Sequence, residues 1–359
     1  MPYPWIQVVV SRELPEPDCI APSLTVAICT RDRPQLLDRC LQSVLAVRDA
    51  HPAGSSKCEV LVLDNAPTTT RTFEVASLLQ GVNYVVEHRP GLDFARNRAL
   101  SESTGDLIAY VDDDVTVAPL WLSGLCRAYA LNPKAAAIVG PVLPMEPTTP
   151  AQFLFEERGG FKRVFESVRY SQSSSGGPYY PYAGIPGSGC NMVFQRKLLL
   201  MLGGFDEALD TGPPLAGGGD LDIFYRLIRA GYEIVNEPQM VVYHDHRHTR
   251  PELRRQMYHW SLAFITFLTK HMSNEPARRG DVLRIMLAWF LRKSAGALAS
   301  LVAPNWYRWR LDLALAELAG GFRALLGEYS RSKRRVQRIR RRYAEAPGGQ
   351  TCHCHHRLP

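Results

Sequence analysis

Four short apolar runs, each ending in polar residues and followed by a helical pattern, constrain the fold of this chain most. Leu24 to Cys29, Val60 to Leu63, Val82 to Val86 and Leu107 to Val111 are these runs. After most of them, apolar residues recur at the spacing of an amphipathic helix. Strands that alternate with helices usually form a parallel sheet covered by helices. We therefore predict an α/β fold with a Rossmann-like, mixed but mostly parallel sheet flanked by helices.

Polar clusters occupy the predicted ends of three of these strands. Thr30-Arg31-Asp32 follows the first strand, Asp64-Asn65 the second and Asp112-Asp113-Asp114 the fourth. In open α/β sheets, ligands bind in the crevice at the carboxyl ends of the strands. The three clusters are therefore predicted to converge on one binding crevice.

The triple-aspartate cluster predicts a metal site. Adjacent carboxylates repel one another unless a cation or strong donors balance them. Mn²⁺ or Mg²⁺ prefers oxygen ligands and is often shared between carboxylates and a diphosphate. The alternative for Asp112 to Asp114 is an acidic turn exposed to solvent.

Gly217 to Gly219 precede Asp220 and Asp222 at the start of an amphipathic pattern. Glycines let the backbone approach a ligand closely, and a carboxylate held at a helix N-terminus can act as a general base. The alternative is that both aspartates only cap the helix.

Farther along, His244 and His246 follow a predicted strand, Met240 to Tyr243, and either imidazole could complete a metal shell or be purely structural.

The charge of the chain is concentrated in one segment. The formal net charge is +7, and Arg331 to Arg342 carries eight basic residues and no acidic one, so the remainder is close to neutral. Such a run attracts anionic lipid head groups or nucleic acid. A near-neutral remainder makes nucleic acid an unexpected partner of the catalytic part, and 46% hydrophobic residues exclude a disordered chain.

Cysteine usage and the N-terminus favour a cytoplasmic location. The eight cysteines lack the dense spacing of a secreted disulfide scaffold. The first residues lack the basic and long apolar regions of a signal peptide. Ile285 to Ala303 is the most apolar stretch, but Arg292 and Lys293 interrupt it. We expect no spanning helix, and a cytoplasmic protein that can lie peripherally on the inner face of the cell membrane.

Six segments in order resemble glycosyltransferase family 2 over roughly Leu24 to Arg247. They read TVAICTRDRPQLLDRCLQSV, LVLDNAP, GLDFARNRAL, YVDDDV, GCNMVFQRKLLLMLGGFDEAL and GGGDLDIFYRLIRAGYEI. The resemblance implies a GT-A fold and an inverting, metal-dependent transfer of a sugar from a nucleotide-sugar donor, with UDP-sugars favoured. The implied acceptor is the hydroxyl of a glycan or lipid-linked glycan, as in the synthesis of cell-surface polysaccharide or glycolipid.

The resemblance also implies roles for individual residues. Asp112 and Asp114 match the DxD pair that contacts ribose and metal, and His244 matches the C-terminal metal ligand, with His246 as the substitute. The family commonly has Glu-Asp before the base helix where this chain has Gly219-Asp220, so Asp220 is the expected base and Asp222 its alternative. The remaining donor-binding residues are Thr30, Arg31, Asp32, Asp64, Arg96 and Asp113, and the acceptor-side residues are Gly187, Asn191 and Asp206.

The resemblance and the residue pattern together predict four parts in the chain. Residues 1–22 form an extension, 23–250 the GT-A domain, 251–345 a basic helical region and 346–359 a disordered tail that includes Cys352 to His356. In the helical region, Trp306, Tyr307, Trp309 and the arginine run fit an interfacial membrane anchor. An ordinary helical bundle with a solvated basic face is the alternative.

Three other functions fit the sequence less well than sugar transfer. A nucleotidyltransferase would need a glycine-rich loop for a triphosphate near the first strand, and TRDRPQLL has no glycine. A non-catalytic membrane or nucleic-acid adaptor would leave the acidic clusters unexplained. A processive polysaccharide synthase would have spanning helices and a Gln-x-x-Arg-Trp signature, which Arg254 to Trp260 matches only loosely.

Overall fold

The structure of the protein is a computed structural model that describes residues 22–52, 57–161, 163–172, 186–302 and 310–344. Trp306, Tyr307 and Trp309, predicted to anchor the chain at a membrane, lie outside the described residues, and so does the Cys352 to His356 tail.

Two sheets contain the strands of the described residues. Their bounds are β1 (Leu24–Thr30), β2 (Cys58–Asn65), β3 (Val82–Glu87), β4 (Leu107–Asp112), β5 (Val115–Val117), β6 (Ala137–Val139), β7 (Val142–Pro144), β8 (Val168–Tyr170), β9 (Asn191–Gln195), β10 (Ile234–Asn236) and β11 (Val242–His244). The eight-stranded sheet has the order β3-β2-β1-β4-β9-β6-β10-β8, and the smaller sheet has the order β5-β11-β7.

The helices of the described residues cover the large sheet and continue beyond it. Their bounds are α1 (Pro34–Ala50), α2 (Arg71–Ser77), α3 (Leu92–Glu102), α4 (Trp121–Leu131), α5 (Pro150–Glu157), α6 (Arg196–Met201), α7 (Gly219–Arg229), α8 (Arg250–Asn274), α9 (Arg279–Val302), α10 (Leu311–Leu325) and α11 (Glu328–Ala344). A 3₁₀ turn, Pro276–Arg278, joins α8 to α9.

The first four predicted strands lie side by side and parallel in the large sheet. Strand β9 then runs antiparallel between β4 and β6, which makes the sheet mixed. All residues of β1 are buried because helices pack on both faces of the sheet. The predicted α/β class and the mixed, mostly parallel sheet are confirmed.

Strand register aligns the polar clusters. Thr30 lies opposite Asp64 across the β1–β2 pair, and Cys29 lies opposite Asp112 across the β1–β4 pair. Parallel strands in register end at the same edge, so the side chains that follow them meet there.

The smaller sheet was not predicted from the sequence. Strand β11 pairs antiparallel with β5, which begins directly after the triple-aspartate turn, and His244 is the register partner of Val115. The structure places β11 at Val242–His244, whereas the sequence pattern predicted Met240 to Tyr243. This pairing brings the histidines next to the aspartates, although 130 residues separate His244 from Asp114.

The C-terminal helices share a hydrophobic core with the sheet. Leu262 and Phe267 of α8 and Trp289 of α9 are buried in the same cluster as Ile108 and Phe194 of the sheet. An ion network adds to this packing, since the buried Glu317 carboxylate of α10 accepts hydrogen bonds from Arg158, at 2.9 Å, and from Lys293 of α9.

One helix of the described residues, Pro276–Val302, is long and apolar enough to cross a bilayer, judged by length and composition. The sequence analysis expected no such segment. Val282, Met286 and Trp289 nevertheless form a buried side of this helix that packs in the protein core. Length and composition do not by themselves distinguish a spanning helix from a helix packed on a protein.

A capping box starts α8. The Thr249 hydroxyl accepts a hydrogen bond from the Glu252 N–H, and the Glu252 carboxylate accepts one from the Thr249 N–H. We expect Thr249→Ala to lower the free energy of unfolding by about 1 kcal/mol, because a helix N–H loses its acceptor. Urea denaturation measures the loss. Thr249→Ser keeps the hydroxyl and is the matched control, so an equal loss in both variants would contradict capping as the cause.

Candidate active site

Asp113 fastens the triple-aspartate turn to the end of β1. The Thr30 hydroxyl donates a hydrogen bond of 2.7 Å to the Asp113 carboxylate, and Arg33 Nη1 lies 3.1 Å from the other carboxylate oxygen. Burial raises the pKa of Asp113 to about 6, with Arg33 and Thr30 acting in the opposite direction. Asp113 therefore has internal partners that hold the turn in place.

Asp114 lies among cations and a histidine. His244 Nε2 is 3.5 Å from Asp114 Oδ1, and Arg247 and Arg33 are 3.4 Å and 3.7 Å from Oδ2. Burial alone would raise the pKa of Asp114, but His244, Arg247 and Arg33 outweigh burial and lower it. Burial also lowers the pKa of His244 to about 4, so the imidazole is neutral at pH 7 and the two arginines supply the lasting positive charge.

Asp112 is the member of the triplet that keeps contact with solvent, with 33% of its side chain exposed. Burial of the rest of the carboxyl raises its pKa to about 7, and Asp114 and Asp113 act in the same direction, while Arg96 opposes them. Arg96 Nη2 lies 3.7 Å from Asp112 Oδ1.

Arg96 joins this turn to the start of α7. The same Nη2 atom donates to the Gly189 carbonyl at 3.4 Å, and the Gly189 N–H donates to Asp220 Oδ2 at 3.0 Å. The other oxygen of Asp220 accepts from the N–H of Leu221 at 2.9 Å. Asp220 is only half-buried. The backbone of Gly189 thus lies between the two acidic segments.

Gly219 is required where α7 starts. A Cβ at this position would lie 2.1 Å from Asp93 Oδ2, which is closer than a real Cβ can come. Asp93 is fully buried and accepts a hydrogen bond of 3.2 Å from Arg96 Nη1. Burial raises the pKa of Asp93, and Arg96 opposes this rise. Gly219 therefore allows the close approach of α7 to the Asp93–Arg96 pair.

The predicted nucleoside-binding residues occupy the adjacent strand end. Asp64 is buried and accepts a hydrogen bond of 2.7 Å from the Tyr84 hydroxyl, and burial raises its pKa. Asp32 has a φ of +51° and accepts hydrogen bonds from the N–H and hydroxyl of Thr68, both at 2.9 Å. The Arg31 side chain is 51% exposed. Asp32 therefore closes the loop beside Asp64, and Arg31 remains accessible.

Asp222 lies outside this cleft. It is fully buried, and its carboxylate contacts Arg226 at 2.7 Å, Lys270 at 2.5 Å and His271 at 3.0 Å. Burial would raise the pKa of Asp222, but His271, Lys270 and Arg226 outweigh burial and lower it. Because both oxygens are committed to contacts within α7 and with α8, the geometry leaves Asp220 as the only one of the two with access to the cleft among the described residues.

The predicted acceptor-side residues are engaged in contacts within the protein. The amide of Asn191 is buried, accepting from Trp121 Nε1 at 2.9 Å and donating to the Met240 carbonyl at 2.7 Å. A Cβ on Gly187 would lie 2.8 Å from Val139. Asp206 contacts Lys270 at 2.7 Å and the Tyr329 hydroxyl at 2.8 Å. Asn191 and Gly187 thus support the sheet, and Asp206 fastens α11.

A cavity of about 550 Å³ lies against α11 rather than in the cleft. Its lining includes Asp206, Glu207, Asn97, Lys333 and Arg340. None of the Asp112 to Asp114 turn and none of α7 lines it. This cavity therefore belongs to the contact of α11 with the segment after α6.

Metal-ligand geometry at the cleft is incomplete in the protein alone. In the part of the chain that the structure describes, no three His, Cys, Asp or Glu side chains form a ready metal site. Asp114 Oδ1 is nevertheless buried without a hydrogen-bond partner, 3.5 Å from His244 Nε2.

A chain of hydrogen bonds bears on whether His244 Nε2, the nitrogen that faces Asp114, carries a proton. His246 Nε2 lies 2.9 Å from Glu156 Oε1, and His246 Nδ1 lies 2.9 Å from His244 Nδ1. The pKa of Glu156 is lowered, against the effect of burial, by hydrogen bonds from His246 and Arg163, so Glu156 is an acceptor. In the tautomer that suits this acceptor, His246 Nε2–H donates to Glu156, and His246 Nδ1 accepts from His244 Nδ1–H. His244 Nε2 is left with a lone pair directed at Asp114 Oδ1.

Sequence reasoning missed several residues of this site. Arg33 and Arg247 contact predicted aspartates, and Asp93 contacts Arg96. Each of the three stands within three residues of a predicted site residue, which is the signal that could have found them. Glu156 gave no such signal, because α5 is 90 residues from His246 in the sequence and meets it only in the fold.

Comparisons with known proteins identify the family of this chain. A profile of "Glycosyl transferase family 2" matches residues 25–178, and a profile of "Glycosyl transferase family group 2" matches residues 107–323. The second match covers more than half of the chain. The chain therefore belongs to the family 2 glycosyltransferases, which confirms the resemblance found in the sequence.

Individual relatives share part of their length with this chain. A glucosyl-dolichyl phosphate glucuronosyltransferase of Haloferax volcanii is 30% identical over 32% of this chain and 34% of that protein. A pre-mycofactocin glycosyltransferase of Mycobacterium tuberculosis is 27% identical over 60% of this chain and 43% of that protein. The chain thus spans less than half the length of these two relatives.

A solved structure shares the fold. The mannosyltransferase PcManGT of Pyrobaculum calidifontis, solved with GDP-Man and Mn²⁺, superimposes with a TM-score of 0.54 at 18% identity. The superposition covers 85% of this chain and 88% of that one. The GT-A fold predicted from the resemblance is confirmed.

Different environments of the two α7 aspartates predict different effects on stability. We expect Asp222→Asn to cost about 3–5 kcal/mol of unfolding free energy at pH 7, because Lys270 and Arg226 would lose a buried counter-charge. Asp220→Asn should cost less than about 1 kcal/mol, since an amide oxygen can still accept from Gly189. Guanidinium denaturation of both variants measures the difference.

The pH dependence of that difference follows from the lowered pKa of Asp222. A carboxyl whose pKa is lower in the folded than in the unfolded protein stabilises the fold above its unfolded pKa, about 3.9, and loses this effect as the pH falls. The difference in unfolding free energy between wild type and Asp222→Asn should therefore become smaller below about pH 4. A difference that stays constant from pH 7 to pH 3 would contradict the assigned ion network.

Proposed function

We propose that the protein is an inverting glycosyltransferase that moves a sugar from a nucleotide-sugar donor to an acceptor hydroxyl with the help of a divalent metal ion. The observation that carries this proposal is the bridge Asp112–Arg96–Gly189–Asp220. It connects the partly exposed Asp112, the proposed donor-side acid, to the half-buried carboxylate of Asp220. Direct displacement at an anomeric carbon needs this separation of roles, since the base acts on the face opposite the leaving diphosphate.

Donor binding is assigned to the end of β1 and its neighbours. Asp64 and Thr30 lie side by side at the strand ends, where the base and ribose of a nucleotide would meet carboxylate and hydroxyl groups. Arg31 and Arg247 are partly exposed cations near this edge and suit the diphosphate. UDP-sugars are the first donors to test, with GDP-mannose included because PcManGT was solved with it.

Asp112, Asp114 and His244 are the proposed metal ligands. Their donor set fits Mn²⁺ or Mg²⁺, because Asp114 Oδ1 lacks a hydrogen-bond partner and the His244 Nε2 lone pair faces it. A bound divalent ion would supply positive charge to the diphosphate leaving group. Asp112 keeps solvent access, so it is the ligand that the donor can share.

Asp220 is the proposed general base. Its carboxylate accepts hydrogen bonds from the N–H groups of Gly189 and Leu221, which orient it, and it remains half-buried. From there it can take the proton of an incoming hydroxyl as the hydroxyl attacks the anomeric carbon. Arg96 and Asp93 position this carboxylate and are not themselves placed to receive the proton.

A lipid-linked glycan is the proposed acceptor class. The Haloferax relative carries a dolichyl phosphate acceptor in its name, and the C-terminal helices of this chain expose a broad apolar surface. We propose a cytoplasmic, membrane-associated enzyme that adds a single sugar in polysaccharide or glycolipid synthesis.

Two substitutions separate binding from catalysis. We expect Asp114→Ala to abolish Mn²⁺-dependent binding of the donor, because a metal ligand is lost. Asp220→Asn should keep donor affinity within about twofold and lower the transfer rate by about 10²- to 10⁴-fold, because only the base is lost. Thermal shift with a panel of NDP-sugars plus Mn²⁺ measures binding, and release of NDP measures turnover. Full turnover by Asp220→Asn would remove Asp220 as the base.

The hydrogen-bond chain behind His244 predicts an effect at a distance from the metal. We expect Glu156→Gln to weaken Mn²⁺ affinity by about 10- to 100-fold, because an amide can donate to His246 and reverse the tautomers of both histidines. Electron paramagnetic resonance of free Mn²⁺, recorded without donor, measures this affinity. Glu157→Gln changes the exposed neighbour and is the matched control. Equal affinity in wild type and Glu156→Gln would contradict the assigned tautomers.

A further inference from the structure

Exposed large apolar side chains concentrate on two C-terminal helices. Eighteen such residues occur among the described ranges, of which six lie on α9, three lie on α10 and one, Leu326, directly follows α10. They are Leu283, Leu287, Leu291, Leu298, Leu301, Val302, Leu315, Phe322, Leu325 and Leu326. A contiguous apolar area of this kind on a folded protein marks an interaction site.

The α9 side chains form one stripe. Leu283, Leu287, Leu291 and Leu298 recur at helical spacing and are 54% to 65% exposed. The opposite side of α9, with Val282, is buried against the protein. The stripe therefore lacks a partner within the described residues, although the helix itself is packed.

Helix α10 continues this surface. Leu315 and Phe322 are 52% and 58% exposed, and Leu326 follows one turn after Phe322 at 63%. The Phe322 ring contacts the Phe290 ring of α9 at 4.8 Å between centroids, which joins the two stripes. We name the exposed apolar residues of α9 and α10 the apolar face.

A basic helix begins where the apolar face ends. Leu326 is two residues before the start of α11. Arg334, Arg338 and Arg341 share one exposed side of α11, and none of them has an acidic partner in the described part of the chain. In contrast, Arg335 pairs with Glu328 on the packed side. The exposed cations are therefore available to an external anionic surface.

We propose that the apolar face and the exposed arginines of α11 together dock the protein on an anionic lipid bilayer, with α9 and α10 lying in the interface. Apolar side chains next to unpaired cations match the apolar and anionic layers of such a membrane. A second copy of the chain fits less well, because two α11 helices brought near the same face would repel each other.

The buried charges of α9 argue for lying on the membrane instead of crossing it. Lys293, in the middle of the helix, pairs with Glu317 of α10, and Arg158 joins the same carboxylate. Moving α9 across a bilayer would break this network and expose the core side of the helix. The docking does not depend on the proposed sugar transfer, although it would bring the cleft to a lipid-linked acceptor.

Co-sedimentation of the full chain with vesicles tests the docking. We expect binding to vesicles of phosphatidylglycerol and phosphatidylcholine, and at least about tenfold weaker binding to phosphatidylcholine alone, because the cations lose their counter-charges. The double variant Leu287→Glu/Leu291→Glu should bind the anionic vesicles at least about tenfold more weakly. Leu78→Glu is the matched control and should bind like wild type, because Leu78 is an 83% exposed leucine in the segment between α2 and β3.

A second pair of variants isolates the charge contribution. Arg338→Glu/Arg341→Glu should lose most of the preference for anionic vesicles, while Lys57→Glu, on a distant exposed lysine, should keep it. Soluble-donor turnover and circular dichroism verify that each variant is folded. The proposal fails if the leucine variant binds vesicles like wild type. It also fails if high salt and alkaline pH leave the chain on the vesicles and only detergent releases it. A third contrary result is a leucine variant that converts a wild-type dimer to a monomer in light scattering without changing vesicle binding.

Discussion

Arg96 is the group on which the rest of the site depends. Burial opposes its charge, but the carboxylates of Asp93, Asp112, Asp220 and Asp210 around it raise its pKa. A guanidinium has donors in several directions, so one side chain can contact Asp93, Asp112 and the Gly189 carbonyl together. It therefore positions the end of β4 relative to the start of α7. A lysine would keep the charge and lose this geometry.

The remaining carboxylates of the region serve the framework around this centre. Asp222 holds α7 to α8 through Lys270, and Asp113 holds the triple-aspartate turn to β1 through Thr30. Each has several charged or hydrogen-bonding partners, as a buried carboxylate requires. By contrast, Asp112 and Asp220 keep access to solvent. That difference in environment is the basis for proposing Asp112 as a metal ligand and Asp220 as the general base.

The proposed donor-binding edge and the apolar face are both compatible with a family 2 glycosyltransferase. The proposed donor-binding edge belongs to the sheet, and the C-terminal helices share the hydrophobic core of that sheet. Helix α8 contributes both to that core and to the Asp222 network, so the helices that carry the apolar face are packed together with α7. A membrane bound at α9 and α10 would thus lie against the same folded unit as the proposed active site.

The sequence by itself determined the strand–helix alternation, the strand ends at Thr30, Asp64 and Asp112, and the family, because apolar periodicity and strand-end polarity are local signals. Only the tertiary structure shows that Asp222 is buried against α8 while Asp220 is half-buried, because the two differ in the side of α7 that they occupy. It also decided the β5–β11 pairing, the internal role of Asn191 and the Glu156–His246–His244 chain. These depend on contacts between residues 49 to 129 positions apart, and no local pattern encodes such contacts.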